Sequence, residues 1–390
     1  MNNQSVKRKI TRSYRTYQMN QDLINLAQKL IQFQSITPHG DAIHQYIKDY
    51  LEALSFRTEV IKFEEVSNLW ASFGTGSPHI LLAGHSDVVP PGDLSSWKHD
   101  PFSGTIEQGR LYGRGACDMK GNLAAMMMAA KEIIQSNHFT GTLSLLITSD
   151  EEGPAIHGTK RMIPWLKQKD IYFDYTIVGE PSSSQKVGDT LRIGRRGSLN
   201  LELNMTQQQH HVAYAPASTA ITMLVELLNR LQSIQFKAHP YFPDTQLAIT
   251  HIFTDNDAHN IIPNQANAWV NIRFNPSDTF DSLKKTLENT IGNLSNHTHL
   301  QWIESASPFI SAPNKLANAF KTSISNELGI IPEYNTGGGT SDARFLQEIS
   351  NEIIEFGCLN ESAHKIDENI LIEDLNKTFR VYCEALKNLQ

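Results

Sequence analysis

The sequence has few cysteines, no long apolar run and no surplus of positive charge. Of 390 residues only three are cysteine, Cys117, Cys358 and Cys383, and so small and odd a set argues against a secreted domain built on disulfides. No apolar stretch approaches the roughly 20 residues that cross a membrane as a helix. With 41 acidic against 34 basic residues and a net charge of −7, the composition does not suggest affinity for nucleic acid. A soluble, cytoplasmic protein without membrane or nucleic acid partners is therefore expected.

The beginning of the chain is rich in basic residues: Lys7, Arg8, Lys9, Arg12 and Arg15. No apolar segment follows them, as one would in a secretory signal peptide. Residues 1–20 are therefore expected to form a poorly ordered basic leader.

After residue 20 the hydrophobic pattern alternates between buried strands and helices. Residues 79–83, 143–148 and 175–178 have the short, continuous apolar character of strands in the middle of a sheet. Residues 121–136 and 159–167 have apolar side chains at helical spacing. Strands that alternate with helices predict an α/β fold with a mainly parallel sheet.

The pattern changes in the middle of the chain. Residues 199–205 alternate apolar and polar side chains, as a half-exposed strand does, and a helix is predicted at 217–231 before further strands and a second helix. This order predicts a small α+β domain at residues 198–311. It would be inserted into the larger α/β domain, which takes residues 21–197 and 312–390.

Histidine and acidic side chains follow the predicted buried strands, where open α/β sheets place their functional sites. Imidazole nitrogens and carboxylate oxygens together are the ligands that zinc or a similar divalent ion takes. The sequence therefore predicts a metal site at the strand ends. The candidate residues, in chain order, are His85, Asp87, Asp118, Glu151, Glu152, Glu180 and His364.

These residue types suit hydrolysis of an amide. Two metal ions activate a water and stabilise the oxyanion when one carboxylate bridges them, and Asp118, short and at a predicted helix start, suits the bridge. Asp87 lies two residues from His85 and can accept the other ring N–H of that histidine. Glu151 and Glu152 cannot point the same way on an extended segment, so one can bind metal while the other acts as general base.

Each of these features has an ordinary explanation when it is taken alone. A His-x-Asp pair usually lies on a surface, two adjacent glutamates usually belong to a solvated face, and an aspartate before a helix is usually an N-cap. By the same reasoning, His210 and His211 alone would be surface residues. The combination, with most of its members directly after a buried strand, favours the metal site.

Three motifs at residues 84–90, 113–121 and 148–154 read GHSDVVP, GRGACDMKG and TSDEEGP. They resemble the motifs of the aminoacylase, deacetylase and carboxypeptidase family of two-zinc hydrolases. The resemblance extends over nearly all of residues 23–389. It implies a zinc-exopeptidase-like catalytic domain and identifies the inserted α+β domain as the dimerisation domain, or lid, of a homodimer.

The resemblance also implies how the metal ligands are shared. Two Zn²⁺ ions per subunit are expected, with Co²⁺ able to substitute. His85 and Glu180 would hold one ion, and Glu152 and His364 the other. Asp118 would bridge the two.

The same resemblance assigns the catalytic roles. Glu151 would take a proton from the bridging water and pass it to the leaving amine, a task that suits a carboxylate. Asp87 would support His85. His211 would reach across the dimer to stabilise the tetrahedral oxyanion.

Later motifs narrow the resemblance to the members that hydrolyse N-succinyl-L,L-2,6-diaminopimelate to succinate and L,L-diaminopimelate. These motifs, GEPSS, IGRRGS, HVAY and GGTSD, stand at residues 179–183, 193–198, 211–214 and 338–342. A substrate with several carboxylates suits arginine, whose guanidinium binds carboxylates through two parallel hydrogen bonds. The implied substrate-binding residues are Arg195, Tyr214, Asn260, Arg273, Ser305, Gly339, Thr340 and Arg344.

Some positions depart from the family pattern and leave related substrates open. His210 stands where glycine is usual, Ala215 and Pro216 follow Tyr214 in place of Pro-His, and Cys117 replaces alanine. Because most departures lie in the expected lid and pocket, two alternatives remain. One is an acetylornithine-type deacylase of another N-acyl amino acid, and the other is a metallo-dipeptidase or carboxypeptidase.

Overall fold

A computed structural model describes residues 18–136 and 139–390 of the chain. Most of the predicted basic leader, residues 1–20, lies outside the described residues. Its last three residues, 18–20, belong to the first helix. Among the described residues, no helix is both long enough and apolar enough to span a bilayer.

The helices and strands are labelled in chain order. The helices are α1 (18–31), α2 (Asp41–Glu52), α3 (Lys120–Gln135), α4 (Thr159–Gln168), α5 (Ala220–Gln232), α6 (Phe280–Ile291), α7 (Lys315–Leu328), α8 (Ala343–Leu346) and α9 (Ile372–Asn388). The strands of the first half are β1 (Arg57–Phe63), β2 (Val66–Thr75), β3 (His79–His85), β4 (Ile106–Glu107), β5 (Arg110–Tyr112), β6 (Gly141–Thr148), β7 (Phe173–Val178), β8 (Thr190–Arg192) and β9 (Gly194–Arg195). The remaining strands are β10 (Gly197–Thr206), β11 (His210–His211), β12 (Gln246–Phe253), β13 (Ile261–Ile262), β14 (Gln265–Phe274), β15 (Thr298–Ala306), β16 (Phe309–Ile310), β17 (Glu333–Asn335), β18 (Ser350–Glu355) and β19 (Asn369–Leu371).

The chain divides into two compact units. The sequence placed an inserted domain at 198–311, and the second unit also contains a short later segment that carries Gly339 and Thr340. The first unit comprises the described residues up to Ile193 with Ser311–Asn335 and Ser341–Gln390, and the second comprises Gly194–Ile310 and Thr336–Thr340.

The first unit is built on an eight-stranded sheet in the order β1-β2-β6-β3-β7-β18-β8-β17. Strand β3 pairs in parallel with β6 and β7, and β7 pairs in parallel with β18. Strands β1 and β2 extend the sheet with antiparallel pairs. The predicted α/β fold with a mainly parallel sheet is confirmed. Its consequence is that β3, β6, β7 and β18 all end at the same edge.

Helix α3 forms the centre of the first unit. Its side chains from Leu123 to Ala130 are all buried, as expected of a helix that is apolar around its whole circumference. It packs against α9. The N-terminus of α3 is thereby fixed beside the sheet edge, immediately after Asp118.

The second unit is a four-stranded antiparallel sheet in the order β12-β14-β10-β15, with α5 and α6 in its core. In β10, Leu199, Leu201, Leu203 and Met205 are buried and the residues between them are not fully buried. The alternation follows from the two-residue period of a strand with one covered face. Strand β12 is at the edge of this sheet and is mostly exposed.

Candidate metal centre

The central strands of the first unit deliver histidine and acidic side chains to one edge. His85 is the last residue of β3, Glu151 and Glu152 stand three and four residues after β6 ends at Thr148, and Glu180 is two residues beyond β7. Because these strands are parallel neighbours, side chains that are far apart in sequence meet here.

Two further ligand candidates come from loops. Asp118 ends the segment that leads into α3, and Gly115 in that segment has a φ of +86°, which allows the tight turn. A Cβ at Gly115 would lie 2.7 Å from Val88 Cγ1, so glycine is needed for space as well. His364 lies in the loop between β18 and β19 and also has a positive φ, of 62°.

The carboxylate of Asp118 lies between the two histidines. On one side, its Oδ1 is 3.2 Å from His85 Nε2, which is also 3.7 Å from Glu180 Oε1. On the other side, its Oδ2 is 3.5 Å from His364 Nε2, which is 2.8 Å from Glu152 Oε1. Each triplet places three possible ligand atoms within 4.8 Å of one another. The two triplets share Asp118 alone.

Glu151 approaches the first triplet without belonging to either. Its Oε2 is 4.0 Å from His85 Nε2, and a third possible ligand group joins Glu151 and Glu152 with His85. The backbone N–H groups of both glutamates donate to the carboxylate of Asp87, over 3.4 and 3.1 Å. Asp87 therefore holds the segment that carries them.

Asp87 differs from its sequence prediction in one respect. The ring Nδ1 of His85 lies 2.9 Å from the backbone oxygen of Asp87, whereas the carboxylate Oδ1 is 3.7 Å away. The partner of the ring nitrogen is therefore the backbone oxygen of Asp87, because the carboxylate faces the backbone after β6. The Asp87 oxygen still directs Nε2 of His85 toward Asp118.

Electrostatics show a concentration of negative charge with two histidines beside it. Burial raises the pKa of Glu151 well above its usual range, and the charge of Glu180 adds to the effect. Hydrogen bonds to Asp118 and Glu152 raise the pKa of His364 to about 10. For Asp118, burial would raise the pKa, but the hydrogen bonds with His364 and His85 outweigh it and the pKa falls.

The residues present fit divalent metal ions. A cation between each histidine and its carboxylates would compensate the negative charge of those carboxylates. Both imidazoles would then be neutral and could act as ligands. Nitrogen and oxygen donors in sets of three, with room for water, are typical of catalytic zinc and related ions.

Such a pair of histidine and carboxylate triplets, at the carboxyl edge of a mainly parallel sheet, defines a metal-dependent hydrolase centre. The sequence model of the peptidase family M20/M25/M40 matches residues 81–388 of the chain. The chain belongs to this family and is a metal-dependent amide hydrolase, and the resemblance drawn from the three motifs is confirmed.

Relatives match almost the whole chain. The succinyl-diaminopimelate desuccinylase of Hydrogenovibrio crunogenus is 41% identical over 376 residues, covering 94% of this chain and 99% of the relative. That of Nitrosomonas europaea is 39% identical over 377 residues, covering 95% of this chain and 100% of the relative.

Solved structures share the fold at lower identity. The M20 family metallo-carboxypeptidase Sso-CP2 from Sulfolobus solfataricus superposes with a TM-score of 0.74 at 20% identity, over 94% of this chain and 99% of that chain. The YXEP protein of Bacillus subtilis, a dinuclear metal binding peptidase from the M20 family, has a TM-score of 0.73 at 15% identity, over 96% and 99%. At these identities the likeness establishes the fold.

Most of the predicted substrate-binding residues lie in the second unit, where the structure brings several of them together. Arg195 Nη1 donates to the backbone oxygen of Gly339 over 2.9 Å. Val212, between His211 and Tyr214, donates its N–H to the backbone oxygen of Asn260 over 3.1 Å. Tyr214 is 81% exposed.

Two other predicted pocket residues, Arg273 and Ser305, are joined by a chain of hydrogen bonds in which Asn271 donates to Asn200 over 2.7 Å. Within the second unit, Arg273 Nε donates to Asn271 over 3.1 Å, and Ser305 Oγ accepts a hydrogen bond from Asn200 over 2.8 Å. Thr340 closes the short segment Thr336–Thr340. Arg344 lies in the first unit, in α8.

Sequence reasoning assigned no role to two acidic residues that organise the site. Asp150 accepts backbone N–H groups from residues 155–158 and so fixes the loop after Glu151 and Glu152. Glu368 is fully buried and accepts the backbone N–H of Asp118. Asp150 could have been found from its place directly after β6. Glu368 lies in a loop with no distinguishing pattern.

Proposed function

We propose that this protein hydrolyses N-succinyl-L,L-2,6-diaminopimelate to succinate and L,L-diaminopimelate. The observation that carries the proposal is the near-complete match, at 38–41% identity, to relatives named succinyl-diaminopimelate desuccinylase. A geometric observation supports it: the acidic and histidine residues that amide hydrolysis requires lie together in the first unit.

We further propose that the centre holds two Zn²⁺ ions, with His85 and Glu180 as ligands on one side, Glu152 and His364 on the other, and Asp118 between them. When bound, two such ions would acidify a water and polarise the scissile carbonyl. This proposal is supported by the Asp118 carboxylate, whose two oxygens approach different histidines. Oδ1 is 3.2 Å from His85 Nε2 and Oδ2 is 3.5 Å from His364 Nε2.

Glu151 is proposed as the general base and acid. It stands outside both Asp118 triplets, yet its Oε2 is within 4.0 Å of His85 Nε2, so its carboxylate is beside the site without being needed as a ligand there. It would accept a proton from the attacking water and then donate that proton to the nitrogen of the leaving amine. Asp87 positions it through the backbone N–H.

We propose that the protein is a homodimer joined through its second unit. Strand β12 lies at the edge of the four-stranded sheet, and Ile252 and Phe253 on it are 60% and 44% exposed. On α5, Ile221 and Val225 are also exposed. An exposed apolar edge of this kind is normally covered, and a second copy would cover it symmetrically.

His211 and the pocket residues of the second unit keep their proposed roles in oxyanion stabilisation and substrate binding. The cytoplasmic location also stays a proposal. It is supported by Cys117, Cys358 and Cys383, all of which are free thiols, as expected in a reducing compartment.

A substrate comparison tests the proposed function. The purified protein, reconstituted with Zn²⁺, would be assayed for amine release from N-succinyl-L,L-2,6-diaminopimelate, N-acetylornithine and a panel of dipeptides. We expect kcat/KM to be highest for the succinylated substrate. A preference for acetylornithine would reassign the protein as a deacylase of another N-acyl amino acid, and release of amino acids from dipeptides would reassign it as a peptidase.

A further inference from the structure

Glu368, which accepts the backbone N–H of Asp118, also forms an ion pair with Arg114, a residue without a role so far. Arg114 is 2% exposed and Glu368 is fully buried, and Arg114 Nη1 lies 2.7 Å from Glu368 Oε2. The guanidinium also lies over the ring of Trp97, with its carbon 5.1 Å from the ring centroid. Two charges so completely removed from water require that each find several partners.

The partners of Glu368 belong to the segment that carries the shared carboxylate. Its Oε1 accepts the backbone N–H of Cys117 over 2.9 Å and that of Asp118 over 3.0 Å. Its own backbone oxygen accepts the N–H of Gly113 over 2.9 Å. Glu368 thus fixes the backbone from which the Asp118 side chain extends.

The partners of Arg114 belong to the segment that carries the second histidine. Nη1 donates to the backbone oxygen of Lys365 over 3.0 Å, and Nη2 lies 3.5 Å from that of His364. His364 has a φ of 62°, a conformation that a non-glycine residue keeps only where its surroundings hold it. The planar fork of arginine spreads its donors over two terminal nitrogens, which here serve Glu368 and both carbonyls, whereas the donors of lysine all lie on one nitrogen.

We propose that Arg114 and Glu368 are a positioning pair that sets the separation between Asp118 and His364, and thereby the affinity for the ion on the His364 side. Neither residue belongs to the groups of possible metal ligands found among the described residues. The proposal rests on the two-ion centre proposed above. The His85 side depends less on the pair, because His85 and Glu180 are carried by β3 and by the chain just beyond β7.

The experiment measures zinc retention by the full-length protein. Wild type, Arg114→Lys and the matched control Arg110→Lys would be dialysed at a series of free Zn²⁺ concentrations set by a chelator, and bound zinc per subunit would be counted. Arg110 suits the control because it binds the same loop through Asn369, over 2.6 Å, without touching His364. A further variant, His364→Ala, would be titrated in the same way. The zinc-binding step that it loses is the one that belongs to the His364 side.

We expect Arg114→Lys to weaken the His364-side ion by roughly 10–100-fold, as changes behind a metal ligand do, and to leave the other ion within about twofold. Arg110→Lys should match wild type. If Arg114→Lys retains both ions like wild type, or loses both equally, the positioning role is wrong. If Arg114→Lys does not fold, Glu368→Gln, which keeps the side-chain volume, takes its place in the same zinc measurement. Retention of both ions, or equal loss of both, would again show that the positioning role is wrong. A wild type that binds fewer than two ions would instead overturn the two-ion centre itself.

Discussion

His44 should make the stability of the first unit depend on pH. It is fully buried in α2, with Ser67 Oγ 2.8 Å from its Nδ1 and Ser86 Oγ 2.8 Å from its Nε2. A neutral imidazole can donate to one serine and accept from the other, whereas the charged ring can only donate. Burial removes the charged ring from water and lowers the pKa of His44 from 6.5 to about 4, against the opposing charge of Asp41.

The sign and size of the effect follow from linkage. Between pH 6.5 and 4 the unfolded chain binds a proton at His44 that the folded protein does not, so stability is lost as pH falls through this window. The full loss, for a pKa that falls from 6.5 to about 4, is about 3 kcal/mol. Between pH 7.5 and 5 the loss amounts to about 2 kcal/mol.

Urea unfolding of wild type and His44→Asn at pH 7.5 and pH 5 tests this. The difference in unfolding free energy between the two proteins should be about 2 kcal/mol smaller at pH 5, because the variant has no buried imidazole to protonate. Changes in the protonation of other residues alter the unfolding free energy of both proteins equally, so they cancel in this difference. His39→Asn, which removes an exposed histidine, is the control and should follow wild type at both pH values. A difference for His44→Asn that is the same at both pH values would refute the reasoning.

Three further predictions concern the site and the assembly. Glu151→Gln should lower kcat by at least roughly 10²-fold while zinc content stays near normal, and a variant with substantial turnover would remove Glu151 from the base role. His211→Ala should lower kcat by roughly 10²–10³-fold, as measured by steady-state kinetics; a change confined to KM would count against oxyanion stabilisation. Ile252→Lys should give monomers in sedimentation velocity, because it places a charge on the exposed edge of β12, whereas Ile331→Lys, at a 74% exposed site of the first unit, should leave the assembly unchanged. A dimer that survives Ile252→Lys would place the interface elsewhere.

The site residues at strand ends could be predicted from the sequence, because a buried strand is recognised from its local hydrophobic pattern. The apolar run at 79–83 predicted a buried strand, and β3 extends it only as far as His85. The same logic placed Glu180 after β7. Parallel strands share one edge, so their flanking residues were expected to meet, and they do.

Contacts between distant loops were not accessible in this way. Glu368 bonds to the backbone of Asp118 across 250 residues, and no periodicity in one chain reveals such a pair. The segment Thr336–Thr340 was assigned to the larger domain because the α/β pattern resumes around it, yet it belongs to the second unit. For Asp87 the sequence indicated the residue that accepts the His85 ring N–H, but which of its oxygens does so depends on where the backbone after β6 lies.

The central claim, that Asp118 lies between two metal ions, is tested most directly by anomalous X-ray diffraction at the zinc edge from crystals of the Zn²⁺-loaded protein. Two peaks per subunit are predicted, one beside His85 and Glu180 and one beside Glu152 and His364, with the Asp118 carboxylate between them. A single peak, or peaks that do not flank Asp118, would contradict the account.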